Sequence, residues 1–435
     1  MIDFSSWGRL YKAPHCLYAP AHRFSSLPSV TDDYTGGKLL PRGNGRSYGD
    51  ACLNSSGTLI WSVFLDSILD IDPAAGTVRV EAGVLLRDLQ RLLVTRGFML
   101  PVTPGTQEIT VGGAIASDVH CKNHHRFGTF GCHVLSFTLL RSDGQILECS
   151  PDSNSGYFRA TIGGMGLTGF VTEATLKLRK VSGSLIRAEY HKFASLDEFC
   201  VLARDSEKDY EHTVAWTDCI SGSGGRGIFM RGNHEDDPKV RFAGRSLGFP
   251  FTPPVSLVNG LSLRMFNEVY YWLNSRKSKP FLINYDKFFY PLDAVTNWNR
   301  IYGPRGFYQY QCVVPGKDGM QAVREIQKLI SRSGEGSFLG VLKTFGDMKS
   351  PGILSFPMPG FTYALDFPNR GAKTAKLFAD LDAVVRNAGG RLYLAKDARQ
   401  PRELFEAGYG SSLEEFVRYV DPGFSSDLSR RLMGF

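Results

Sequence analysis

The chain has 435 residues, with 50 lysines and arginines against 43 aspartates and glutamates, a formal net charge of +7. That length suits two or three domains with full apolar cores, since 43% of the residues are hydrophobic. The cations are scattered rather than gathered into a basic block, which argues against nucleic acid and leaves an anionic substrate or a membrane surface as the partner.

Residues 41–54, Pro-Arg-Gly-Asn-Gly-Arg-Ser-Tyr-Gly-Asp-Ala-Cys-Leu-Asn, place Gly43, Gly45 and Gly49 between a predicted strand and a polar loop. Glycine reaches positive φ at no cost, so consecutive N–H groups can turn toward one point and form an anion cradle. The run lacks the Gly-Lys-Ser/Thr ending of a Walker loop, and it does not open a long helix as a Gly-x-Gly-x-x-Gly fingerprint would. Strands are predicted over Leu59–Leu65, Ile68–Asp72 and Val78–Ala82, the last two pairing across Pro73-Ala74-Ala75-Gly76. An apolar stripe over Leu85–Thr95, closed by Gly97, predicts a helix. A second glycine cluster runs from Pro104-Gly105-Thr106 through Val111-Gly112-Gly113-Ala114. Val134–Arg141 and Gln145–Cys149 predict a hairpin around Asp143-Gly144. A third cluster, Gly163-Gly164-Met165-Gly166-Leu167-Thr168-Gly169, completes a set that points to one large diphosphate-containing cofactor.

From Ser184 onward a second run of alternating segments predicts one broad antiparallel sheet over helices: Leu185–Phe193, Thr213–Asp218, Gly227–Arg231, Gln309–Val314, Phe338–Phe345 and Thr362–Asp366. Ala372–Ala388, ended by Gly389-Gly390, is the clearest helix there. The class is α+β rather than a doubly wound sheet. The eight cysteines at 16, 52, 121, 132, 149, 200, 219 and 312 show no C-x-x-C spacing and read as reduced thiols. His120, Cys121, His124, His125, Cys132 and His133 raise a zinc site, but their spacing straddles Gly128 and Gly131 without the paired knuckles such sites use, so no metal is expected. No signal peptide and no apolar run of about 18 residues is evident, so a cytoplasmic protein, or one peripheral on the inner membrane face, is expected. Gly248–Tyr290 joins Phe249-Pro250-Phe251, an apolar Leu257–Leu273 and the cations Arg276, Lys277 and Lys279. Such a segment suits a membrane-facing flap with Phe266 and Trp272, or an ordinary amphipathic helix packed on the sheet.

Trp7-Gly8-Arg9, Gly45-Arg46-Ser47-Tyr48-Gly49-Asp50, Val111-Gly112-Gly113-Ala114-Ile115-Ala116, His120-Cys121-Lys122-Asn123-His124-His125 and Gly390-Arg391-Leu392-Tyr393-Leu394-Ala395-Lys396-Asp397 carry a resemblance. With Tyr290-Pro291-Leu292-Asp293, Gly306 through Pro315 and Phe424–Leu432 it runs nearly end to end. The chain resembles the decaprenylphosphoryl-β-D-ribose 2'-oxidase family, within the vanillyl-alcohol-oxidase superfamily. The resemblance implies a two-domain FAD-binding fold with an antiparallel-sheet substrate domain, divided as 1–182, 183–390 and a segment 391–435 returning to the FAD domain. It implies oxidation of the 2'-hydroxyl of a lipid-phosphate-linked pentose to a keto sugar, which a separate NAD(P)H-dependent short-chain reductase returns with inverted stereochemistry.

Residue by residue, it implies FAD contacts from Arg42, Gly43, Asn44, Gly45, Arg46, Ser47, Tyr48, Pro104, Gly105, Thr106, Gly112, Gly113, Ala116, Ser117, His120, Asn123, Gly164, Gly166, Gly169, Tyr393 and Lys396. Lys396, Tyr48 and His120 stand at the chemistry, and Lys122, Trp216, Tyr290, Tyr310, Gln311, Lys343 and Ala364 line the substrate pocket. A lysine beside an apolar flavin face loses solvation and moves toward neutrality, which suits proton transfer at the sugar hydroxyl. Relatives commonly carry cysteine at the position of Ala364, so a thiol-trapping ligand is expected to bind here only reversibly. Many sugar and aldonolactone oxidases carry a flavin-tethering histidine at the position of Arg46, so dissociable FAD is expected. A soluble alditol or aldonolactone oxidase and a non-catalytic FAD-binding protein are the alternatives.

Overall fold

The computed structural model describes residues 2–28, 38–221, 224–242, 244 and 247–435. Up to Lys180 the described chain builds two larger sheets, a two-stranded pairing of Phe98–Met99 with Arg179–Lys180, and their helices. Four strands lie in the order Ile2–Ser5, Lys12–Tyr18, Thr58–Trp61 and Leu39–Arg42, the last three parallel to one another. Five antiparallel strands follow in the order Ile68–Asp72, Thr77–Glu81, Phe170–Lys177, Val134–Leu140 and Ile146–Cys149. The turn between the first two is set locally. Asp72 Oδ1 accepts from the N–H groups of Ala74 and Ala75 at 2.8 and 2.9 Å, and Gly76 supplies φ of +67°. The helix Leu86–Val94 buries Leu86, Leu89 and Leu93 against this sheet, and each such side chain contributes about 1.5–3 kcal/mol.

The second half is built on an antiparallel sheet of eight described strands, ordered Phe281–Asn284, Leu185–Phe193, Gly227–His234, His212–Thr217, Val341–Phe345, Gly360–Pro368, Phe307–Pro315 and Arg391–Leu392, beside a short parallel pair, Leu247–Gly248 with Val295–Thr296. Alternation along each strand divides it between two faces. One face packs on the helices Leu196–Ser206, Gly316–Ser333 and Ala372–Asn387 through Phe199, Ala215, Tyr310, Cys312, Leu342, Tyr363 and Leu365. The opposite face looks toward the glycine-rich loops. Both sheets bear out the α+β class read from the sequence. The strand expected over Phe338–Phe345 starts only at Val341, because the Phe338 carbonyl is taken by the Trp216 indole at 2.9 Å.

After Arg391–Leu392 the chain crosses back to the first half. The Tyr393 hydroxyl donates to Ser117 O at 2.8 Å, Phe424 bridges to Leu39, and Arg431 reaches Asp50. That return brings Lys396 to the first glycine loop.

Candidate active site

Two of the three glycine clusters converge as open loops, and the third braces them. The side chain of Thr110 caps the short helix Val111–Ala116 by accepting from Gly113 N at 3.1 Å. Gly43 lies so close to Thr110 that a Cβ there would fall 2.3 Å from its hydroxyl. Asn44 Nδ2 donates to Glu108 O at 2.8 Å, locking the first loop to the second. The N–H groups of Gly163, Gly164 and Met165 are spent on Ile115, Thr161 and Ala116 carbonyls. The third run therefore holds the helix 111–116 in place, and Gly164, Gly166 and Gly169 act through backbone conformation and close packing. Among the described residues the N–H groups of residues 43–47 donate to no carbonyl, and the Cβ direction of Gly105 is open.

Arg42 departs from its expected role. Its guanidinium donates to the carbonyls of Cys52 at 2.6 Å and Ser5 at 3.1 Å, and lies 5.0 Å from the Phe4 ring, so it braces the loop from behind. Arg46 lies over the Trp7 ring at 4.2 Å, 4.0 Å from Glu108, with Nε buried and unpartnered. Ser47 O accepts from Trp7 N at 2.9 Å.

The next residue, Tyr48, meets the returning C-terminal segment. Gly49 allows the return segment to press against this loop, since a Cβ there would meet Asp397 O at 1.9 Å. Tyr48 N donates to Ala395 O at 3.2 Å, and the Lys396 Nζ sits 3.9 Å from the Tyr48 ring centroid. Tyr48 is 5% exposed and meets Phe307 edge-on. Burial raises its phenol well above the usual value, so it is a neutral hydroxyl.

The open face of the large sheet supplies the opposite wall. Register places Gln311 beside Ala364, Ala364 beside Val341 and Thr362 beside Lys343, with Trp216 on the next strand. Gln311 Nε2 lies 3.0 Å from His120 Nε2, and Lys343 Nζ lies 3.2 Å from His120 Nδ1. Burial and the charge of Lys343 push His120 well below its usual value, so the ring is neutral. A neutral imidazole accepts at one nitrogen and donates at the other. Burial also pulls Lys343 and Lys122 down to about 8. Lys122 donates to Phe288 O and lies over the Phe288 ring at 4.6 Å. Lys396 is lowered by burial, with Asp366 opposing the shift.

Other expected residues frame the cleft. Trp216 packs on Tyr270 of the helix Gly260–Asn274 at 4.7 Å between ring centroids. Tyr290 is 2% exposed and its hydroxyl shares a 2.6 Å hydrogen bond with Thr103, beside Pro104. Thr106 Oγ1 and Gln107 N donate to Asp293 at 2.7 and 2.8 Å, docking this segment on the second loop. Asn123 Nδ2 donates to Pro101 O at 2.9 Å, while its Oδ1 is buried and unpartnered. Gly112 packs on Ala82, and Ala116 and Ser117 present their carbonyls to Met165 and Tyr393.

Tyr310 is a correction. It points into the helical layer, where its hydroxyl donates to Asp382 at 3.1 Å, because it precedes Gln311 on one strand and adjacent strand residues face opposite ways. The sequence reading missed Asp366, Gln309 and Thr362, which alternation from Ala364 and Gln311 would have found. It also missed Asp118, whose side chain accepts from Gly131 N at 2.9 Å, Ser350 at 2.5 Å and Ser355, fixing the loop that presents His120. The six histidines and cysteines around it scatter: His125 meets Tyr210 O, His133 meets Phe127 O and Cys132 meets Lys349 O.

Free N–H groups at 43–47, glycines where a Cβ would not fit, and the unpartnered Arg46 Nε and Asn123 Oδ1 fit a bound diphosphate cofactor with a polar ring system. Comparison agrees. Residues 33–150 match the FAD binding domain family. The chain is 39% identical over 419 residues to the decaprenylphosphoryl-β-D-ribose oxidase of Mycolicibacterium smegmatis, covering 91% of this chain and 89% of that one. It is 33% identical to an uncharacterised protein of Streptomyces coelicolor over 80% of this chain and 100% of the relative. An L-gulonolactone oxidase of Mus musculus is 31% identical over 40% of each chain.

Proposed function

The chain belongs to the decaprenylphosphoryl-β-D-ribose oxidase family of FAD-dependent oxidoreductases, and we propose that it oxidises the 2'-hydroxyl of a polyprenyl-phosphate-linked pentose to a keto sugar. The observation that carries the substrate class is a pair of lysines on one cleft: Lys122 and Lys343 are partly buried, and neither is in an ion pair among the described residues. Cations stripped of water without a carboxylate in contact favour an anionic guest, and a phosphate diester supplies one.

FAD, when bound, supplies the hydride acceptor for the carbinol carbon. The backbone of residues 43–47 and 104–106 would hold it, with Asn123 and Tyr393 available to its ring system. Lys396 takes the hydroxyl proton, as an amine close to neutrality can at ordinary pH. His120, whose two ring nitrogens are taken by Gln311 and Lys343, holds those two side chains in place against the sugar. Lys343 and Lys122 bind the phosphate. Trp216, Tyr290 and Ala364 shape the sugar pocket, and the small methyl of Ala364 leaves no thiol there.

The helix Gly260–Asn274 packs on the sheet through Leu263 and Tyr270, and also presents Leu261, Met265, Val269, Trp272 and Leu273, each at least half exposed. With Arg264, Arg276, Lys277 and Lys279 alongside, this apolar face suits an acidic lipid surface from which the prenyl tail enters the cleft. No helix among the described residues is long and apolar enough to cross a membrane. A keto sugar that is the first half of an epimerisation requires reduction next, so an NAD(P)H-dependent short-chain reductase is the expected partner.

The test is anaerobic mixing of the oxidised holoenzyme with a prenylphosphoryl pentose, free alditols or aldonolactones. Bleaching of the flavin by the prenylphosphoryl pentose alone is expected. Bleaching by free alditols or lactones would favour the soluble-oxidase reading, and bleaching by none would favour a binding protein.

A further inference from the structure

Asp366 shares the strand Gly360–Pro368 with Thr362 and Ala364 and, by alternation, faces the same cleft. It is 0% exposed. Its register partner Gln309 donates from Nε2 to Oδ1 at 2.6 Å, and its own N–H donates to Ser337 Oγ at 2.9 Å. Oδ2 is buried with no hydrogen-bond partner. A buried carboxylate oxygen without a partner is costly to keep, and a cation brought near it offsets that cost. The cation that feels its charge is Lys396, which lies over the Tyr48 ring without touching the carboxylate.

Among the described residues the groups within electrostatic reach of this pair include Tyr48 and Tyr302, which feel the charge of Asp366 and whose phenols burial raises, and Lys343 and the neutral His120, which share the field of Lys396. Burial raises Asp366 and lowers Lys396, so two groups ordinarily far apart in acidity come close together.

We infer that Asp366 is a positioning residue that acts through Lys396, its bare Oδ2 stabilising the ammonium that forms when the Lys396 amine takes the substrate's hydroxyl proton. The inference rests on the proposed alcohol oxidation. In that reaction the alcohol loses two electrons and two hydrogens. Its C–H hydrogen leaves with the bonding pair to bound FAD, the oxidant, and its O–H proton goes to the Lys396 nitrogen. The amine becomes an ammonium beside the carboxylate, and the carbon–oxygen bond becomes a carbonyl. An anion opposite a developing cation is the arrangement that orients and supports the base in a serine–histidine–aspartate triad.

The test compares wild type with Asp366→Asn and Gln309→Leu holoenzymes from about pH 6 to about pH 9, a range spanning the ordinary values from histidine toward lysine. Two readouts are taken: anaerobic flavin reduction by a prenylphosphoryl pentose, and the pH dependence of Lys396 acetylation by acetic anhydride, measured by mass spectrometry. Asp366→Asn should keep its FAD and reduce it about tenfold or more slowly at its best pH. It should also move the midpoints of both profiles to lower pH by about half a unit or more, because the anion that favours the ammonium is gone. Gln309→Leu should shift both the same way by less. A uniform fall in rate with both midpoints unmoved means a structural role and overturns the inference. So does loss of FAD from both variants, or no change in either readout. If the pentose reduces no flavin even in wild type, the proposed function fails, and the acetylation midpoint alone decides the role of Asp366.

Discussion

Lys396 Nζ stands 3.9 Å from the centre of the Tyr48 ring, joining the end of the first glycine loop to a segment contributed from the far end of the chain. The proposed diphosphate cradle lies in the loops before it, so in the proposed reaction cofactor binding and proton transfer would rest on different residues. Lys396→Ala should purify with near-stoichiometric FAD and an ordinary oxidised-flavin spectrum, yet lose roughly two or more orders of magnitude in substrate-driven flavin reduction. Lys396→Arg should fail almost as badly, because guanidinium does not give up its proton. Near wild-type reduction by the alanine variant would remove Lys396 from the chemistry.

The resemblance puts Arg46 where many sugar oxidases are expected to tether their flavin. Its guanidinium is stacked on Trp7 and lies 4.0 Å from Glu108, and a permanently protonated group has no lone pair to form the bond. Acid precipitation should leave the pellet colourless and the supernatant yellow. Colour retained in the pellet would mean a covalent link.

The elements with strong local signals were legible in the sequence. Ile68–Asp72 and its partner are fixed by an Asp72 turn and Gly76, and Leu86–Val94 by its apolar stripe. Lys396, Tyr48, His120, Gln311 and Lys343 were named by motif, and the fold sets Lys396 over Tyr48 and His120 between Gln311 and Lys343. Tyr310 was misplaced because a motif names neighbours without saying which face they take; alternation from Gln311 sends it to Asp382. Arg42 was misread because its guanidinium answers to carbonyls at Ser5 and Cys52, contacts that exist only after folding. Asp366 carries no motif of its own. Alternation from Ala364 is the signal that would have found it, and its pairing with Gln309 exists only in the folded sheet.

Arg431 fastens the C-terminal helix Asp427–Leu432 to the first loop. Its Nε donates to Asp50 Oδ2 at 2.8 Å, and Nη2 donates to Asp50 Oδ1 and Asp397 Oδ2, both at 2.9 Å. The two acidic side chains are only 8% and 2% exposed. Arg431→Ala leaves both buried without this cation and should cost about 3 kcal/mol, read as a fall of several degrees in Tm. Burial opposes ionisation of Asp397, but Arg431 and Arg399 outweigh it and hold it below the ordinary value. Its contribution is therefore full above the ordinary aspartate range and is lost as pH falls through the folded value, below about pH 4. Asp50 is pushed upward by burial, so the acid-labile share belongs to Asp397. An unchanged Tm in the alanine variant would refute this role.

Trp272 is 53% exposed with Arg276 over its ring at 3.6 Å, and Phe266 is 39% exposed. Replacing both by serine should weaken sedimentation with acidic liposomes several-fold while FAD content stays unchanged. Unaltered liposome binding would remove the membrane surface from the account.

The most direct test of the central claim is the isotope effect on anaerobic flavin reduction by prenylphosphoryl ribose deuterated at single carbons. Deuterium at C2' should slow reduction by a primary effect, and deuterium at C3' should leave the rate unchanged. A primary effect at another carbon, or no reduction by this substrate, would contradict oxidation at the 2'-hydroxyl.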